Sequence, residues 1–236
     1  MEDLVAHFET GQYRRNTTFL ADAEYSRALD CFVKGCADLL VQDSETGEVL
    51  VVKRCSHPQP DWWFLGGRMQ AGSTPQQSAR ANLRREAGID AAEARFRPLC
   101  VMSMLWQMRK QPPAGNGTAD IGITFLIEVS PEERAAVRLD PREHAQHAWL
   151  DPADVAAARH YEYHPALRRA TALVAVARAR ARLGRAVAAG APDGEVAEAA
   201  RAFVEGAAEA ERIGSLPARF VDLAEPEPAG GRQLPA

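Results

Sequence analysis

The sequence predicts an α+β domain, rich in strands, followed by a helical hairpin. Three observations predict it. Short apolar runs separated by turn residues recur between residues 40 and 150, the signature of strands. One well-marked helix, with a start and a stop signal, is held between them. After Pro165 the composition shifts to long alanine- and arginine-rich stretches with apolar residues at helical spacing.

The bulk properties exclude several classes. At 236 residues the chain has room for one to two domains. A hydrophobic share of 46% and a charged share of 25% exclude a disordered or fibrous chain and a small disulfide scaffold. No apolar run approaches the roughly 18 residues of a membrane span. The net charge of −4 argues against a nucleic-acid partner. The opening Met-Glu-Asp-Leu-Val-Ala-His lacks the basic and apolar regions of a secretory signal, so a cytoplasmic protein is expected. The four cysteines, Cys31, Cys36, Cys55 and Cys100, have no metal-like spacing and read as reduced thiols, with Cys31 and Cys36 packing beside an apolar stretch.

Each element has its own signal. Residues 1–30 form a short helical or irregular extension. Leu40-Val41 and Val49–Val52 read as strands joined by the turn Asp43-Ser44-Glu45-Thr46-Gly47. Trp62–Leu65 is a short strand broken by Gly66-Gly67. Ser73-Thr74-Pro75 opens a helix of about 12 residues, with a hydroxyl cap before proline, and Gly88 ends it. Phe96–Trp106 and Ile121–Val129 are strands on either side of a loop rich in breakers, Gln111–Gly117. Pro131–Val137 is a short helical turn, His147–Leu150 a brief strand, and Asp151 caps another helix. Leu167, Thr171, Val174, Val176, Ala179, Leu183 and Val187 mark the first arm of the hairpin. Val196, Ala200, Phe203, Val204 and Ala207 mark one face of the second, acidic arm. The expected organisation is therefore an extension (1–30), a central domain (31–164), a helical hairpin (165–213) and a mobile tail (214–236).

The chemistry concentrates in Gly66-Gly67-Arg68 through Arg84-Arg85-Glu86-Ala87-Gly88-Ile89. Glycines before a helix let backbone N–H groups approach phosphate oxygens, and the helix N-terminus adds partial positive charge. Asn82 and Glu86, four residues apart, share a helix face. A carboxylate beside an amide oxygen suits a hard cation, which in turn suits a diphosphate. A surface ion pair of Glu86 with Arg80, Arg84 or Arg85 is the competing reading.

Registered on Gly67, Leu83, Glu86, Gly88 and Ile89, the segment resembles a degenerate Nudix box, Gly-x5-Glu-x7-Arg-Glu-U-x-Glu-Glu-x-Gly-U, with U a bulky aliphatic. Ser73 stands at the first glutamate, Ala81-Asn82 at Arg-Glu and Arg85 at the third glutamate, so Glu86 alone remains of four acidic positions. Within that superfamily the chain is similar to the GDP-mannose mannosyl hydrolase branch. The shared features are Lys53-Arg54, Trp63-Phe64-Leu65-Gly66-Gly67-Arg68-Met69-Gln70, Trp106-Gln107, Glu143-His144 with Trp149-Leu150 at the same separation, and Asp38 in the first sheet strand. The resemblance spans about residues 33–165.

It implies a Nudix α/β/α sandwich with the C-terminal hairpin added. It also implies Mg²⁺-assisted (or Mn²⁺-assisted) hydrolysis of a nucleoside diphosphate conjugate such as a nucleotide sugar, with water attacking the anomeric carbon. Glu86 and Glu143 then stand as metal ligands, Arg54 and Arg68 as diphosphate ligands, and His144 as the general base. Asp38, Trp63 and Gly67 complete the substrate site. His147 is an alternative base, and Asp120 lies near an unmatched tyrosine of the branch. Trp62 or Trp63 suits stacking on a base or sugar, with the other in the core. His160, Tyr161, Tyr163 and His164 read as surface or interface residues. The arginine-rich helix from Arg168 to Arg185 reads as an intramolecular or homodimer interface. Arg85 beside a metal is unfavourable unless it swings away to substrate or solvent. A conventional pyrophosphatase and a domain that binds without turnover remain open beside the anomeric hydrolase.

Overall fold

The computed structural model describes residues 5–16, 18–159, 162–218 and 220–221. His160, Tyr161 and most of the expected tail (219 and 222–236) lie outside them. The chain begins with helix α1 (Asp22–Cys31) and enters β1 (Lys34–Asp43). The expected hairpin turn follows. Asp43 Oδ1 accepts the Glu45 and Thr46 N–H groups, and Gly47 takes φ +75°. β2 (Val49–Arg54), β3 (Trp62–Trp63) and β4 (Leu65–Arg68) come next, then helix α2 (Pro75–Ala87). Thr74 caps α2 by accepting the Gln77 N–H while the Gln77 side chain accepts the Thr74 N–H, and Gly88 ends it at φ +74°.

After α2 come β5 (Arg97–Trp106), β6 (Thr118–Val129), α3 (Pro131–Ala136), β7 (His144–Leu150), α4 (Pro152–Ala157), α5 (Pro165–Ala188) and α6 (Asp193–Gly214). β7 starts at His144 rather than His147, and a single 3₁₀ turn (Ala114–Asn116) lies in the breaker-rich loop.

The seven strands form one mixed sheet. β1 pairs in parallel with β6 along its whole length, and β6 pairs antiparallel with β5. On its other side β1 meets β4 through Cys36–Leu39 and β2 only through Val41 and Gln42. β2 also carries β3 and β7. The neighbours of β1 thus change from β4 to β2 at Leu40, and Asp38 lies within the β4 pairing, opposite Gly66.

Residues alternate across β1. Ala37, Leu39 and Val41 pack with Ala79, Leu83 and Ala87 of α2. Leu40 packs on the other face with Val155 of α4 and with Leu167, Ala170 and Val174 of α5. The first half of α5 therefore forms the second helical layer of the sandwich. Its next turns pack on α6 through Ala172, Val176, Ala210 and Ile213.

Several local expectations are corrected. Gly66 and Gly67 are strand residues of β4, not a break. A Cβ at Gly66, whose φ is +140°, would lie 2.6 Å from the Ala37 carbonyl oxygen, so only glycine lets the two backbones approach this closely. Cys31 is exposed, whereas Cys36 is buried. Val187 and Val204 are exposed: near the end of α5 the buried residue is Ala186, and the buried line of α6 runs through Ala199, Ala210 and Ile213. No helix among the described residues is long and apolar enough to cross a membrane.

Candidate active site

The last turns of α2, the glycine strand β4, β1 and the start of β7 converge on Glu86. Its side chain is buried, 4% exposed. Glu86 Oε2 accepts the Gly66 N–H at 3.0 Å and lies 3.5 Å from His144 Nε2. Glu86 Oε1 accepts a hydrogen bond from Arg85 Nη2, which also donates to the Gly66 carbonyl at 3.2 Å. Burial pushes the Glu86 carboxyl up. His144, the Gly66 N–H and Arg85 outweigh it, so the group sits below the usual glutamate range.

His144 is itself buried, and apart from Glu86 neither ring nitrogen has a partner among the described residues. A carboxylate facing Nε2 favours the Nε2–H tautomer and leaves the Nδ1 lone pair to accept a proton. Arg54 is paired directly across from His144 in the β2–β7 ladder, beside a register shift at Lys53/Arg54. That register brings its positive charge to Asp38, where it is the leading influence holding the carboxyl down.

Asp38 is wedged between two glycines. A Cβ at Gly66 or at Gly122 would come within 2.8 Å of its carboxylate oxygens. Burial, with Asp120 and Glu86 adding negative charge, nevertheless pushes the Asp38 carboxyl up to about 7. Asp120 is anchored by Lys34 at 3.1 Å and by Trp106 Nε1 at 2.9 Å.

The structure thus brings together Glu86, His144, Arg54 and Asp38 of the residues expected from sequence. It does not bring in the others. Glu143 is exposed in the turn before β7, and its main chain is engaged, the N–H on the Asp140 carbonyl and the carbonyl by the Cys55 N–H. Arg68 is exposed, with its guanidinium stacked over the Tyr25 ring of α1 at 4.8 Å. Trp63 is a core residue, 4% exposed, and Trp62 is the half-buried member of the pair. Gly67 pairs with Ala37, and its carbonyl accepts Asn82 Nδ2 at 3.1 Å. Asn82 also donates to the Ala37 carbonyl, so it ties helix to sheet rather than presenting an oxygen beside Glu86. His147 is exposed.

Two features were missed from sequence. His164, expected at the surface, is half-buried between Trp63 (5.0 Å) and Trp106 (5.7 Å). Burial pushes its ring down to about 4, and its Nδ1 accepts the Ala166 N–H to cap α5. Arg109, 2% exposed, holds α1 to the β5–β6 loop. It donates to Asp30 (2.7 Å), Ser26 Oγ (2.7 Å) and the Gly117 carbonyl (3.0 Å). A lone arginine in a breaker-rich loop carries no local sign of this. The arginines of α5 do serve contacts within the chain: Arg168 is buried on the Ala156 carbonyl, and Arg182 pairs with Glu198 of α6.

The family model described as NUDIX domain matches residues 34–174, more than half of the chain. A search of curated proteins found no match. Among solved structures, the chain is similar to the Escherichia coli dihydroneopterin triphosphate pyrophosphohydrolase, with 22% identity and a TM-score of 0.44. That match covers 59% of this chain and 94% of that one. It is also similar to a MutT protein from Methanosarcina mazei (16% identity, 54% and 83% covered, TM-score 0.40). A third is the NUDIX domain of Shewanella oneidensis NrtR complexed with ADP ribose (16% identity, 58% and 86% covered, TM-score 0.39).

Proposed function

Since the chain belongs to the NUDIX family of hydrolases, we propose that it hydrolyses a nucleoside diphosphate conjugate, with a nucleotide sugar of the GDP-mannose mannosyl hydrolase type as the leading substrate class. The observation that carries this reading is the buried Glu86–His144 pair, with Arg54 facing His144. In this reading His144 takes a proton from water as the water oxygen attacks the anomeric carbon; both ring nitrogens are buried, so the step requires the ring to be uncovered when substrate binds. The bond from that carbon to the diphosphate oxygen breaks, and the diphosphate leaves with its electron pair. Glu86 orients the imidazole and stabilises its charged form. Arg54 supplies positive charge to the leaving oxygens. In this reading Asp38, near Glu86 and the charge of Arg54, accepts a hydrogen bond from a substrate hydroxyl or amine.

Nudix hydrolases generally use a divalent cation such as Mg²⁺. The residues of this site do not fit one. Both Glu86 oxygens are engaged, Asn82 offers its amide nitrogen to the backbone, and Glu143 is exposed apart from them. Among the described residues no three His, Cys, Asp or Glu side chains form a group that could hold a metal. The ligand set expected from Glu86 and Glu143 is corrected accordingly, and no step is drawn through a metal.

The engagement of Glu86 by Arg85 also supports a second reading, in which the site binds such a conjugate without turnover. A panel of nucleoside diphosphate sugars in ¹⁸O water, with products resolved by mass spectrometry, separates the readings. Label in the free sugar supports attack at carbon, and label in phosphate supports a pyrophosphatase. Tight binding without product supports the binding domain. His144→Asn should lower kcat by about 10²–10⁴-fold; an unchanged kcat removes His144 as the base. A homodimer belongs to the same proposal. It is supported by Val101 and Leu105 exposed on β5, which pairs with β6 alone among the described strands, and by Ile121 exposed on β6. Sedimentation equilibrium tests it.

A further inference from the structure

We propose that Arg85 is the resident cation of this site, and that the protein binds the diphosphate of its ligand without a divalent metal. The inference rests on the reading that the ligand is a nucleoside diphosphate conjugate. It starts from which atoms Arg85 touches. Its Nη2 lies on a carboxylate oxygen, Glu86 Oε1, and on a main-chain carbonyl oxygen, that of Gly66. Carboxylate and carbonyl oxygens are the donors that a hard divalent cation takes. Here one guanidinium nitrogen holds both. The same group fills the space over the glycine strand, since a Cβ at Gly67 would lie 3.1 Å from Arg85 Nη2.

The neighbouring side chains agree with a cation supplied by the chain itself. Three positions around the helix carry Ser73, Asn82 and Arg85, none of them a carboxylate. Asn82 is spent on the Ala37 and Gly67 carbonyls. Of the box positions only Glu86 keeps a carboxylate, and the Arg85 guanidinium lies on it; the other two carboxylates nearby have cations of their own, Asp120 with Lys34 in contact and Asp38 with the charge of Arg54. A second cation would meet the positive charge of Arg85 at contact distance.

Arg85 is also open to a ligand. Its side chain is 54% exposed, against 5% for that of Glu86. Nη2 makes both of its contacts, so Nε and Nη1 retain their N–H donors with no partner among the described residues. A guanidinium anchored on one edge and free on the other presents a fork that suits two oxygens of a diphosphate. Arg54, on the other side of His144, supplies the second positive charge.

The test is isothermal titration of the full chain with GDP, UDP, ADP and inorganic pyrophosphate, in EDTA and in excess Mg²⁺. The expected result is an affinity in EDTA within about threefold of that in Mg²⁺. Arg85→Gln should lower the EDTA affinity at least tenfold, while Arg85→Lys, which keeps the charge and loses the fork, should fall between. Far-ultraviolet circular dichroism checks that the variants fold. Arg85→Glu should acquire a Mn²⁺ site, read by electron paramagnetic resonance without any nucleotide, and should bind GDP only with Mn²⁺ present. Binding by the unaltered protein that vanishes in EDTA and returns with Mg²⁺ overturns the inference and leaves the proposed ligand class standing. An unchanged affinity in folded Arg85→Gln overturns it as well. Failure of every probe in both buffers overturns both.

Discussion

Asp38→Asn should make the protein more stable, and only above a defined pH. In the fold the Asp38 carboxyl is pushed up to about 7, from 3.8 in the open chain, chiefly by burial and next by Asp120 and Glu86, with Arg54 opposing. Below pH 3.8 both states hold the proton, and the residue does not favour unfolding. Between 3.8 and about 7 the unfolded chain releases the proton while the fold retains it, so stability falls as pH rises. Above about 7 the loss is complete. The difference corresponds to an upper bound of about 4 kcal/mol. Asparagine has the same shape, so it fits between Gly66 and Gly122, where a bulkier group would collide. It carries no charge to bury. Urea unfolding of both proteins from pH 4 to pH 8 measures the effect. The gain should be near zero at pH 4, grow to pH 7 and then stay level. A gain of equal size at pH 4 and pH 8, or a less stable variant at pH 8, refutes the reasoning. Weaker binding of GDP by the more stable variant would mark Asp38 as retained for the ligand at a cost in stability.

Two other changes test the surroundings of the site. Arg109→Met should cost about 1–3 kcal/mol, because it leaves buried Ser26 and the Gly117 carbonyl without their donor, while Asp30 is exposed and keeps Asn116. Thermal unfolding reads the loss, and faster proteolysis near residue 30 should accompany it as α1 detaches. His164 is held neutral by burial, with its ring down at about 4. The unfolded chain gains a proton below its usual value of 6.5 that the fold refuses, so wild-type stability is lost as pH falls from about 6.5 towards 4, by at most about 3 kcal/mol. His164→Asn keeps a cap for α5 and should remove that acid dependence; the same slope in the variant on urea unfolding at pH 7 and pH 4.5 would show that His164 is not its source.

The elements legible in the sequence are those written within a few neighbouring residues. Thr74, Pro75 and Gly88 start and stop α2 through bonds made inside that segment. Asp43 and Gly47 close the first hairpin in the same way. Leu40-Val41 marked a strand, and it did not say that α2 covers one face of β1 and α5 the other. At the site, the family resemblance singled out Glu86 and His144, residues 58 positions apart that meet at 3.5 Å. The destinations of other side chains were not legible. Arg68 and Arg85 carry the same charge in sequence, yet one stacks on Tyr25 and the other sits on Glu86. His164 and Arg109 gave no local sign of burial. The sequence by itself determined most of the elements and their order, because local bonding and periodicity depend on near neighbours, and its box motif carried the resemblance to the family. Which charges meet was decided only by the tertiary structure. The closeness of β4 to β1 at Gly66 brings distant residues into one poorly solvated space, where their charges act strongly on one another.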